Sequence, residues 1–71
     1  MRNTIEINNH IVASSDICHG KPVFRGTRIL VSDILELMAS GESIDEIMKE
    51  YPTLNKKMIM GALGYAANNV Q

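Results

Sequence analysis

The run Gly20-Lys21-Pro22-Val23-Phe24-Arg25-Gly26-Thr27-Arg28 sets three cations, two glycines and a proline in nine residues. Arginines and lysines on a short turn can clamp phosphates, enter a narrow minor groove or pair with a partner's carboxylates. Lys21, Arg25 and Arg28 are therefore the first candidate contact residues. The competing reading is internal, with Arg28 above all anchoring the segment to Asp33 or Glu36.

Other chemistries fit the same residues poorly. Gly20-Lys21 looks like the end of a phosphate loop, but a proline follows where Ser or Thr is needed, and the preceding glycine is missing. His10, Cys18 and His19 are potential ligands without a zinc-type spacing, and adjacent Cys18 and His19 converge badly on one ion. The same adjacency weakens a nucleophile–base reading of Cys18 and His19. No metal, no cofactor and no enzyme activity are expected.

A second group sits at Asn55, Lys56 and Lys57. If a helix starts there as the second helix of a helix-turn-helix, its first turn faces the major groove. The lysines would then neutralise phosphates and Asn55 would reach a base edge. The alternative is that Asn55 only caps the helix and the lysines form a solvated first turn. Further along, Gly61 and Gly64 each cost about 1 kcal/mol relative to alanine within a helix. Close approach of another backbone would compensate, so Met60, Gly61 and Gly64 are expected to contact a partner or a second copy.

The elements that must position these residues are legible in outline. Thr4-Ile5-Glu6-Ile7 alternates polar and apolar like a half-buried strand. Asn8-Asn9 is turn chemistry, and Ile11-Val12 reads as a returning strand. Lys21–Arg28 reads as a hairpin turning at Gly26, with Ile29-Leu30-Val31 continuing as a strand and Pro22 consigning it to an edge. Ser32 is the expected N-cap of a helix with Val31, Ile34, Leu35 and Met38 on one face, ended by Gly41. Ser43 and Glu46 form a capping box for a second helix, stopped by Pro52. Asn55 opens a third helix running to about Asn69, with Ile59, Ala62, Leu63, Ala66, Ala67 and Val70 as its inner stripe. The expected fold is mainly α: a trihelical helix-turn-helix over 32–70 behind a short N-terminal β-hairpin arm over 1–31, in one domain.

At 71 residues such a chain buries roughly 60% of its unfolded surface, so a partner or second copy is expected. The net charge of −1 argues against a surface that is basic throughout. Six acids and one base lie between Asp33 and Glu50, so the cations stand opposite an acidic helical body. A single cysteine excludes an internal disulfide and fits a reducing compartment. No apolar run reaches the roughly 20 residues of a membrane span, and the first residues do not resemble a secretory signal. A cytoplasmic protein is expected.

The order Cys18-His19-Gly20-Lys21-Pro22-Val23-Phe24-Arg25-Gly26-Thr27-Arg28-Ile29, then Val31-Ser32-Asp33-Ile34-Leu35-Glu36-Leu37, resembles the domain-of-unknown-function family 433. Gly41 to Ile47, Tyr51-Pro52, Leu54 and Ala62 to Ala67 carry the resemblance on. It implies a homeodomain-like helix-turn-helix and a role as a VapB-type antitoxin. Such antitoxins typically act as dimers, bind their own operator DNA and neutralise a PIN-like ribonuclease toxin. Those antitoxins usually end in a long disordered tail, whereas this sequence ends at Gln71. The second reading is a protein-interaction module that binds a nuclease or another partner through the same hairpin, without DNA.

Overall fold

A computed structural model of the chain describes residues 4–68. Strand β1 (Thr4–Glu6) turns back through Asn8-Asn9 into β2 (Ile11–Ser14), and β3 (Val23–Phe24) lies on the far side of β2. All neighbours are antiparallel, in the order β1-β2-β3. Helices α1 (Val31–Ala39), α2 (Ile44–Glu50) and α3 (Lys56–Asn68) follow.

The expectation of a mainly α domain carrying a short β-hairpin arm is overturned. Three helices pack with a three-stranded antiparallel sheet, an α/β architecture in which the N-terminal third is part of the body. The reason is that Val23-Phe24 pairs with β2 rather than standing apart, in the register Ile11↔Phe24 and Val12↔Val23. Two-residue strands show no periodicity, and this pairing joins segments about ten residues apart. Ile11 and Phe24 then enter one core with Val31, Ile34, Ile47, Leu54, Ile59 and Ala62. Val12 and Val23, on the opposite pleat, are buried as well.

The segment after the hairpin also departs from expectation. Ile29-Leu30-Val31 does not continue as a strand; Leu30 alone bridges to Val23, and Val31 is already helical. Nor is Ser32 the cap of α1, since Leu30 holds that place with no side-chain cap. The physical cause lies in Pro22. Val31 N–H donates to the Pro22 carbonyl at 3.1 Å, which satisfies one of the orphan donors of the helix start. Pro22 has no N–H to return the bond, so the Val31 carbonyl is left to the helix.

The remaining helix signals are found where the spacing placed them. Gly41 adopts φ +106°, with Glu42 N–H donating to Leu37 O and Gly41 N–H to Met38 O, a Schellman closure of α1. At α2, Ser43 N–H donates to Glu46 Oε1 at 2.8 Å and Glu46 N–H to Ser43 Oγ at 3.1 Å. The Ser43 N–H, and after it the Ser43 hydroxyl, hold the Glu46 carboxyl below its ordinary range. A depressed carboxyl stabilises the fold above its unfolded pKa, and that contribution fades as pH falls through the folded value. Glu42 is shifted the other way, raised first by its hydrogen bond with Glu50 and by that acid's charge.

Helix α3 buries Ile59 and Ala62, half-buries Tyr65 and Ala66, and leaves Leu63 and Ala67 exposed. Its inner stripe is thus narrower than the spacing suggested; Asn69 and Val70 lie outside the described residues. Gly61 is the point where α3 meets the β1–β2 turn. A Cβ there would stand 3.1 Å from His10 Cδ2 and 3.3 Å from His10 Cβ, whereas one at Gly64 would meet nothing within 4 Å. Asn8 Nδ2 also donates to the Gly61 carbonyl at 3.1 Å. Gly64→Ala is expected to raise stability by about 0.5–1 kcal/mol, the helix-propensity gain. Gly61→Ala is expected to lose that gain to the His10 contact; denaturant midpoints of the two variants check the contrast.

Candidate nucleic-acid or partner interface

The Gly20–Arg28 run is built as a tight turn. Phe24 to Thr27 closes with Thr27 N–H donating to Phe24 O at 3.0 Å. Gly26 sits third in that turn at φ +77°, where a side chain would be strained. The Thr27 hydroxyl donates to the same Phe24 carbonyl at 2.8 Å and accepts Ile29 N–H at 3.0 Å. Gly-Thr therefore shapes the turn, and the flanking arginines go to different places.

Arg25 is bound internally. Its Nε donates to the Asn9 carbonyl at 3.1 Å, and its guanidinium meets the Glu6 carboxylate on β1 at 3.3 Å. The internal anchor is thus Arg25 rather than Arg28, and the acid is Glu6 rather than Asp33 or Glu36. Glu6 escaped the sequence reading because it lies 19 residues upstream. The β1–β2–β3 order is what brings it near. Arg28 is exposed and makes no ion pair among the described residues, as is true of Lys21. Only the Arg28 backbone is engaged, its carbonyl 3.6 Å from the Cys18 thiol that donates to it.

The turn leading into this run is unusual. Cys18, His19 and Gly20 all have positive φ, at +49°, +57° and +82°. Two consecutive non-glycine residues in the left-handed region are costly. Here Gly20 N–H donates to Ile17 O and Lys21 N–H to Cys18 O, which fix the turn and aim Lys21 outward from its end.

At the start of α3, Asn55 Oδ1 accepts Met58 N–H at 2.9 Å, so the capping role is realised. That leaves its Nδ2 for any outside acceptor. Lys56 and Lys57 are exposed in a first turn that contains no acid. Among the proposed contact residues of α3, Met60 is exposed, Gly64 is exposed and open, and Gly61 is half-buried against His10. The close approach that Gly61 calls for is made within the chain. Leu63 adds to the outward apolar face that sequence reasoning placed inside.

Among the described residues there is no pocket and no group of three or more His, Cys, Asp or Glu placed to hold a metal. No helix is long and apolar enough to cross a membrane. Thr27→Val is expected to lower stability by about 1–3 kcal/mol, because it strands the Ile29 N–H and removes a donor to Phe24. Arg25→Ala should cost under about 1 kcal/mol through its half-exposed ion pair. Thermal unfolding of the two variants checks that order.

One curated protein that matches is an uncharacterized protein, y4eO, of Sinorhizobium fredii (strain NBRC 101917 / NGR234), 37% identical over 59 residues. The alignment takes in 83% of this chain and 27% of that relative, so the chain spans about a quarter of the relative's length. No solved structure matches. The profile of the family described as "Protein of unknown function (DUF433)" matches residues 11–66. That span runs from β2 to near the end of α3 and includes the whole Gly-Lys-Pro to Gly-Thr-Arg turn, and the chain belongs to the DUF433 family.

Proposed function

We propose that this domain is a small dimeric DNA-binding protein of antitoxin type, which represses its own operon and neutralises a PIN-like ribonuclease toxin. The observation that carries the DNA reading is a group of exposed cations left without ion pairs among the described residues: Lys21, Arg28, Lys56 and Lys57, with Lys49, likewise exposed and unpaired, set apart among the acids of α2. In a chain of net charge −1, six of the eight acids lie between Asp33 and Glu50, while these cations gather at one turn and one helix start. Lysines at a helix N-terminus oppose the helix dipole, so they gain nothing internally there. Phosphate oxygens, which the same amide-rich terminus also attracts, supply the missing stabilisation. Arg25, committed to Glu6, contributes less to this contact than its neighbours, and Asn55 contributes through its amide nitrogen.

The second reading, a protein-interaction module without DNA, is favoured by a different observation. Met60 is 50% and Leu63 38% exposed on α3, beside the open Gly64. A toxin or another protein partner would cover that apolar face, and both readings share the toxin as partner.

Four phosphate contacts per copy are about eight per dimer, which gives a salt slope of about −7, or a loss of affinity on the order of 10,000-fold between 50 and 200 mM salt. Fluorescence anisotropy on the DNA upstream of the gene is expected to show that slope, and Lys56→Glu with Lys57→Glu is expected to abolish the signal. Binding that ignores salt, or copurification of a partner unaffected by both charge reversals while no DNA is shifted, favours the interaction module instead.

A further inference from the structure

The sheet has one closed edge and one open edge. On the β3 side, Phe24 N–H donates to Ile29 O and Val31 N–H to Pro22 O, both at 3.1 Å, so the returning chain covers that edge. On the other side lies β1, which among the described residues pairs with β2 alone. The pairing parity says which groups it presents. Ile7 N–H donates to Ile11 O at 2.9 Å, and the register sets Ile5 opposite Ala13. In an antiparallel ladder bonded positions alternate, so Ile5 bonds inward while Thr4 and Glu6 turn their N–H and C=O groups outward.

Folded chains normally blunt such an edge with a lysine, a proline, a bulge or a covering element. The Thr-Ile-Glu edge has none of the first three, and all three residues are exposed. Ile5 is 64% exposed, more than any other large apolar side chain among the described residues. The one charge that could repel a neighbour, on Glu6, is neutralised by Arg25 at 3.3 Å.

We infer that β1 is the surface on which a second copy of this chain docks. Two β1 strands add antiparallel across a two-fold axis at Ile5, merging the sheets into one of six strands. The register follows from the residues. Centred on Ile5, Thr4 of each copy faces Glu6 of the other and the outward groups of both exchange hydrogen bonds. Ile5 meets its counterpart in the close, non-bonded pair, with Cα atoms about 4.5 Å apart. The two Glu6 side chains become diagonal neighbours about 7–8 Å apart, each held by its own Arg25. A register centred on Glu6 would set the two carboxylates directly opposite, which is unfavourable. Such an interface is isologous, as a two-fold dimer requires. Three residues a side make it a small one, of the weak class under about 1,200 Å².

This names the surface of the dimer in the proposed function and rests on that reading only for the existence of a dimer. The test contains no DNA, so either can fail without the other. Amide hydrogen exchange and sedimentation of the full chain are followed from dilute to millimolar protein. The Thr4 and Glu6 amides are expected to slow at least several-fold as concentration rises, while the Ile5 amide, bonded to β2 in either state, does not change. Thr4→Pro and Ile5→Glu remove both the concentration dependence and the dimer, with unchanged Ile11 and Phe24 amides showing that the fold persists. Met60→Lys leaves the dimer intact. Thr4 and Glu6 amides that exchange alike at every concentration overturn the inference. So does a dimer that survives Ile5→Glu and is lost in Met60→Lys, which would put the second copy on α3.

Discussion

The closure of the Phe24–Ile29 turn is the constraint on which the other features depend. Gly26 supplies the positive φ, and the Thr27 hydroxyl ties the Phe24 carbonyl to the Ile29 amide. That closure fixes how the chain leaves the sheet. It brings Val31 to the Pro22 carbonyl, and from that bond α1 begins without a side-chain cap. Phe24, the sole phenylalanine, is thereby held in a core cluster to which all three helices contribute. A turn that serves the fold this directly also dictates where its cations point.

The two arginines flanking Gly-Thr divide the work. Arg25 faces back across the sheet and links β3 to the β1–β2 hairpin through Glu6 and Asn9. Its exposed ion pair contributes little energy, yet it settles the charge at the open edge of the sheet. Arg28, one residue past the staple, has only its backbone tied down. The same motif therefore holds one cation for the fold and releases another to the solvent. Lys21 is released in a similar way by the left-handed turn before it.

What was legible in the sequence was what local chemistry decides. The Ser43–Glu46 box, the Gly41 closure, the Asn55 cap and the Gly26 turn all depend on residues within a few positions of one another. What was not legible depends on pairing across the chain. The third strand is two residues long and shows no alternation, so in the sequence the sheet reads as an arm. Ser32 had the right chemistry for a cap, but the Pro22 carbonyl had already taken the role. Gly61 suggested the approach of a partner's backbone, whereas its neighbour is the chain's own His10 side chain, which only the packing of α3 on the β1–β2 turn reveals. In the candidate site the residue types were visible and the partition of the cations between fold and solvent was not.

Arg28→Gln and Arg25→Gln, each measured for both unfolding midpoint and affinity for the upstream DNA, test this division most directly. Arg28→Gln is expected to leave the midpoint in place and weaken DNA binding, while Arg25→Gln lowers the midpoint slightly and affects binding less. A midpoint that falls with Arg28→Gln while DNA affinity stays unchanged would contradict it.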